Sequence, residues 1–160
     1  MAIYRIDTKD IRKSAEFLKA GDEVYISGII YTARDAAHKR FMELMQNGEP
    51  LPFDIKDAVI YYAGPTPARE GFVIGSCGPT TSSRMDKYTP CLLENGLCGV
   101  IGKGPRSKEV TDAIIKNGGV YLCAYGGLGA IAAKSVKSLE VIAFEELGCE
   151  SVKKLYVYAI

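Results

Sequence analysis

The chain has 160 residues, 48% of them apolar and 24% charged, an ordinary composition for a folded domain long enough to bury a core. Twenty basic residues against nineteen acidic ones give a net charge of +1, which excludes the broad basic surface that nucleic acid or an anionic membrane requires. Any anion site must therefore be local.

No apolar run approaches the roughly 20 residues needed to span a bilayer. The opening Met1-Ala2-Ile3-Tyr4-Arg5-Ile6-Asp7 carries no basic-then-apolar leader, so the sequence reads as one cytoplasmic domain over residues 1–160. Glu23 to Tyr31 is β-branched and aromatic and reads as a strand. Thr32 suits a helix N-cap, with Asp35 at the third helical position. Ala37, Phe41, Leu44 and Met45 then recur at helical spacing up to Gly48.

Ala58 to Ala63 reads as a second strand, closed by Gly64-Pro65-Thr66-Pro67, and Phe72 to Cys77 as a third. Thr89-Pro90 has the form of an N-cap followed by proline at the first helical position, with a stop at Gly96. Cys98 to Ile101 is a short strand leading into Gly102-Lys103-Gly104. Ser107 caps a helix with Val110, Ala113 and Ile114 inward and Gly118 at its end. Gly119 to Tyr125 is a strand before Gly126-Gly127-Leu128-Gly129, and Leu139 to Glu146 and Val152 to Tyr158 close the chain as strands. Strand–helix alternation in the middle predicts parallel pairing, and its absence at the ends predicts antiparallel edges, so the expected fold is α/β with a mixed sheet.

Five cysteines stand far apart, and none forms the C-x-x-C spacing of zinc, redox or ferredoxin-like sites. They read as reduced thiols packed as small hydrophobes, with no metal ligands assigned to this chain. Gly126-Gly127-Leu128-Gly129 is not a dinucleotide fingerprint, and Gly102-Lys103-Gly104 lacks the spacing of a P-loop.

The strongest chemical signal is Gly78-Pro79-Thr80-Thr81-Ser82-Ser83-Arg84 directly after a predicted strand. A glycine-marked turn entering a helix leaves N–H groups unpaired, and with the helix dipole they favour an anion. Thr80, Thr81, Ser82 and Ser83 add four hydroxyls, and Arg84 offers a planar fork matched to a carboxylate. Plain helix capping by Thr80 or Thr81, with Arg84 on the surface, explains the same residues equally well. Arg34, in an expected first helical turn, opposes the helix dipole, which points to a ligand role. His38, the only histidine, falls one turn later, where a structural role is the commoner one. Lys103 adds a point charge between two glycines that admit close approach. All three cations follow predicted strands, whose ends collect on one ligand-facing edge in α/β sheets. Residue chemistry alone reaches a site for a small dianion or trianion and leaves the reaction open.

Gly28-Ile29-Ile30-Tyr31-Thr32-Ala33-Arg34-Asp35-Ala36-Ala37-His38-Lys39-Arg40, then Gly78 to Asp86, then Ile101-Gly102-Lys103-Gly104, resemble in order the C-terminal domain of class I fumarases. In two-component fumarases and L-tartrate dehydratases that domain is the separate β subunit. The resemblance covers nearly the whole chain and implies a swivelling β/β/α domain that closes over a [4Fe-4S] cluster held by a partner α subunit. It implies hydration or dehydration of a small dicarboxylate, fumarate to L-malate first and L-tartrate as the alternative, in a heterotetramer of two of each chain. By motif, Arg34, Arg84 and Lys103 correspond to the carboxylate-holding residues and Thr80 to the catalytic base, with Thr81, Ser82 and His38 as further candidates. Fixed cations would stabilise the charge that builds when a proton leaves beside a carboxylate, and the open iron would act on the departing hydroxyl. One departure is Pro105 after Gly104, where asparagine is common in fused fumarases; Arg106 is accordingly left out of the expected site. A competing reading from another class is a stand-alone dicarboxylate- or phosphate-binding module.

Overall fold

The β-branched run around Tyr31 forms the longest strand, and its neighbours explain the rest of the sheet. The computed structural model describes residues 2–124 and 132–160. In chain order the elements are β1 (Ile3–Asp7), α1 (Ile11–Ala15), β2 (Glu23–Thr32), α2 (Asp35–Gln46), β3 (Val59–Tyr61), α3 (Thr89–Glu94), β4 (Gly99–Gly102), α4 (Lys108–Asn117), β5 (Val120–Cys123), β6 (Val136–Ala143) and β7 (Val152–Val157). Gly126-Gly127-Leu128-Gly129 lies outside the described residues.

Among the described residues the sheet has seven strands in the order β5-β4-β3-β2-β7-β6, with β1 paired to the first half of β2. Strands β2 to β5 are parallel; β7 runs antiparallel to β2 and to β6. The mixed α/β sheet expected from the alternation of elements is therefore what forms. Its two faces are distinct. Val59 and Tyr61 of β3 point into one core with Ile26, Ile30, Ile101 and Leu155, while Ile60 and Tyr62 point into the other. The period of two decides this partition. The second core is closed by Ala37 and Phe41 of α2 and by Leu92 and Leu93 of α3.

Ser107 accepts from the Val110 amide at 3.3 Å, and Gly118 ends α4 in the left-handed region, as the sequence predicts. Four local readings are corrected. Thr32 is the last residue of β2, paired with Tyr61, and its hydroxyl accepts from the Lys153 amide instead of capping α2. Phe72 to Cys77 is not a strand. The segment instead folds back on Thr66, whose hydroxyl accepts from the Ser76 amide at 2.7 Å. After Gly78 the chain makes a 3-10 turn, Ser82–Met85, rather than entering a long helix. The strand expected at Leu139 to Glu146 starts earlier and ends at Ala143, giving way to the turn Glu145–Glu150.

The sequence reading also missed β1 and α1. Arg12 of α1 forms an ion pair with Asp57 and donates to the carbonyls of Asn117 and Gly96, at the C-terminal ends of α4 and α3. A cation is favoured there by the helix dipoles.

Candidate functional site

The C-terminal ends of the parallel strands lie level with one another. Ala33 N–H donates to Tyr61 O, Tyr62 N–H to Ile101 O, and Ala124 N–H to Gly102 O, so β2, β3, β4 and β5 end in one row. The three expected cations follow that row. Arg34 comes two residues after β2, Lys103 one residue after β4, and Thr80–Arg84 lies across the ends of β3 and β4. Neighbouring strands stand about 4.8 Å apart, which puts the ends of β2 and β4 about 10 Å apart, a gap that two long side chains and a small dicarboxylate bridge.

The Thr80–Ser82 segment is held by backbone bonds. Thr80 N–H donates to Tyr62 O at 2.7 Å, Ser82 N–H donates to Lys103 O at 2.9 Å, and Thr81 pairs with Lys103 as an isolated parallel bridge. Those two amides are therefore not free for an anion, contrary to the nest expected at a helix start. The Thr81 side chain caps nothing. What this edge still offers an anion is side-chain charge.

Arg34 supplies such charge. Its stem lies against Gly64, where an added Cβ would stand 3.0 Å from Arg34 Cδ and 3.3 Å from Nη1. Its Nε is buried and has no hydrogen-bond partner. Arg84 is more open, its side chain 55% exposed, and its Nε donates to Asp35 Oδ2 at 2.9 Å. That side-on pairing leaves the two Nη groups, the forked end that matches a carboxylate. Among the described residues the ammonium of Lys103 enters no ion pair. The Thr80 hydroxyl is half-buried and has no partner among the described residues, so no group there activates it as a base.

Ser82 and His38 face inward. Ser82 is fully buried; its Oγ accepts from the Lys103 amide at 2.9 Å and lies 2.8 Å from the Tyr121 hydroxyl. Gly102 is needed beneath it, because a Cβ there would overlap Ser82 Oγ. His38 is 0% exposed, with Nδ1 2.8 Å from the Arg34 carbonyl and its ring among Phe41, Tyr62 and Tyr88. Burial drives its pKa down to about 4, so the ring is neutral at pH 7. It supports the Arg34 backbone.

Arg106, left out of the expected site, and Lys153, which the sequence did not mark, complete the support. The side chain of Arg106 is 3% exposed and lies beneath the site: it pairs with Asp86 at 2.7 Å, donates to Tyr62 Oη and Thr89 Oγ1, and stacks over Tyr62 and Tyr121. Lys153 is buried beside the turn that faces Arg34. Neither has a local sequence signal, since both are made structural by partners distant in the chain.

The family model described as "Fumarase C-terminus" matches residues 2–160. The chain belongs to the fumarase C-terminus family. Within it, the chain is 46% identical over 149 residues to "Fumarate hydratase 2" of Leishmania major, covering 92% of this chain and 26% of that protein. It is 48% identical over 134 residues to "Fumarate hydratase class I, aerobic" of Escherichia coli (strain K12), covering 82% of this chain and 24% of the relative. It therefore spans about a quarter of the length of these fumarate hydratases. With the "Putative L(+)-tartrate dehydratase subunit beta" of Methanocaldococcus jannaschii it is 40% identical over 158 residues, covering 96% of this chain and 79% of the other. This is a class I fumarase and tartrate dehydratase β-type domain, of a hydro-lyase family.

The thiols do not fit an iron–sulfur cluster. Cys77 and Cys98 are buried in the core, and burial raises both pKa values, Cys77 to about 12. Cys91 is half-buried, and Cys123 and Cys149 are exposed. Among the described residues no group of three or more His, Cys, Asp or Glu side chains is arranged to hold a metal ion. Nor is any described helix long and apolar enough to cross a membrane.

Proposed function

We propose that this chain is the β component of a two-chain fumarate hydratase, gripping a small dicarboxylate that reacts against a cluster-bearing α chain. The observation that supports the reading is the row of strand ends, which Arg34, Lys103 and the Thr80–Arg84 segment all adjoin, with no described acidic residue neutralising Arg34 or Lys103. Arg84 and Lys103 hold one substrate carboxylate, and Arg34 holds the other. These fixed charges stabilise the negative charge that grows on a carboxylate as a proton leaves the adjacent carbon. Thr80 stands over that carbon.

Since this chain's thiols do not suit a cluster, the [4Fe-4S] group implied by the family likeness would take its ligands from the α chain. The similarity to a β subunit over 79% of that protein supports a separate partner, and a heterotetramer of two of each is the expected assembly. The same similarity favours L-tartrate as the second substrate reading. An added substrate hydroxyl changes specificity through few contacts.

The test is reconstitution. This chain and its α partner, combined anaerobically with iron and sulfide, are expected to hydrate fumarate to L-malate, while either chain alone stays inactive. A stable pair that turns over none of fumarate, mesaconate and L-tartrate would overturn the reading. Turnover of L-tartrate alone would reassign the substrate.

A further inference from the structure

Lys153 at the start of β7 is only 8% exposed, and among the described residues no carboxylate accompanies it. Its Nζ lies 2.8 Å from Ser151 Oγ, 3.2 Å from Cys149 O and 3.3 Å from both Gly148 O and Ser151 O. A buried ammonium without a counter-ion is costly unless its three N–H groups are all satisfied. Here they are satisfied by one turn, and the charge serves to hold that turn in shape.

The turn in question borders the candidate site. Glu150 Oε1 accepts from the Ala36 amide in the first turn of α2 at 3.2 Å, and Glu146 pairs with Arg40 at 2.6 Å on the same helix. Cys149 O and the stem of Arg34 converge on Gly64: an added Cβ there would stand 3.1 Å from the one and 3.0 Å from the other. The Cys149 carbonyl thus borders the same glycine as Arg34, and it is already engaged by Lys153, while Arg34 Nε has no partner.

We propose that Lys153 is a positioning residue for Arg34: its ammonium clamps the Gly148–Ser151 carbonyls, which fixes the start of α2 and keeps Arg34 free for a substrate carboxylate. This rests on the reading of Arg34 as a carboxylate ligand. Without the clamp, the freed carbonyls become competing acceptors for the guanidinium, and the turn releases Ala36.

The test uses Lys153→Ala in the assembled two-chain enzyme. The KM for the dicarboxylate is expected to rise about 10-fold or more with kcat little changed, since binding geometry is lost and the reacting groups remain. Propylammonium, which replaces the missing stem and charge, is expected to restore most of the loss. In an Arg34→Ala background the same substitution should change KM by less than about 2-fold, because both changes act through one interaction. An unchanged KM, an equal rise in both backgrounds, or no response to propylammonium would overturn the proposal. If Lys153→Ala does not fold, Lys153→Gln, which keeps two donors on a shorter stem, carries the comparison between backgrounds.

An inactive wild-type assembly would instead defeat the functional reading. Hydrogen exchange of the Arg34 Nε–H and the Ala36 amide in the full chain alone then decides the role of Lys153. Faster exchange in the variant, slowed by propylammonium, supports it, and unaltered exchange overturns it.

Discussion

Arg84 Nε donates to Asp35 Oδ2 at 2.9 Å, so the residue that follows Arg34 in the chain holds the second arginine of the site. Two cations 50 positions apart are thereby fixed relative to each other. The pair is partly exposed and contributes little to folding, on the order of 1 kcal/mol or less. Its consequence is orientation. Asp35→Ala is expected to raise KM for the dicarboxylate about 10-fold while leaving the denaturation midpoint nearly unchanged. Steady-state kinetics beside a urea titration check both halves; a large loss of stability with normal KM would contradict the orienting role.

Arg84→Ala removes the forked donor. The expected result is a fall in kcat/KM of roughly 100-fold or more with the fold intact, because the proposed bidentate charged contact to substrate is lost. Arg84→Lys should restore little, since an ammonium presents no matching fork. Kinetics of the reconstituted pair and circular dichroism of the single chain provide the comparison.

Arg106 gives the opposite signature. Its guanidinium is buried against Asp86, Tyr62 and Thr89, so Arg106→Leu takes the charged partner from the half-buried Asp86 carboxylate, which among the described residues keeps only the Ser107 amide, and one bond from each of two buried hydroxyls. Breaking a buried pair on one side costs about 3–5 kcal/mol. Chemical denaturation of Arg106→Leu should show a loss of that order. If its stability matches the wild type while activity falls, Arg106 contacts substrate.

His38 predicts an acid limit. Its folded pKa of about 4 lies below the unfolded value of 6.5, so the unfolded chain takes up the proton first as pH falls. The stabilising contribution is complete above pH 6.5 and is lost progressively down to about pH 4, amounting to about 3 kcal/mol for one proton. His38→Asn should flatten the stability–pH curve over that window. A slope that survives the substitution assigns the effect to carboxylates instead.

Several elements were readable from residues because their causes are local. The run from Glu23 to Tyr31, the Ser107 cap and the Gly118 stop each depend on side chains within a few positions, and all three form as expected. Phe72 to Cys77 shows the limit. It has strand-forming residues, but the chain there folds back on Thr66, and which partner a segment meets is decided by the whole fold. Thr32 failed as a cap for a related reason: its hydroxyl is taken by Lys153, which lies 121 residues away in the chain.

The identities and order of Arg34, Thr80, Arg84 and Lys103, and the chemistry they can offer an anion, are written in the sequence, because charge and donor geometry belong to the side chain itself. The tertiary structure alone decided that the Thr80 and Ser82 amides are consumed by Tyr62 and Lys103, that His38 is a neutral strut, and that Arg106 and Lys153 lie buried beneath the site. Those outcomes depend on which distant groups meet once the strand ends align. No local pattern encodes them.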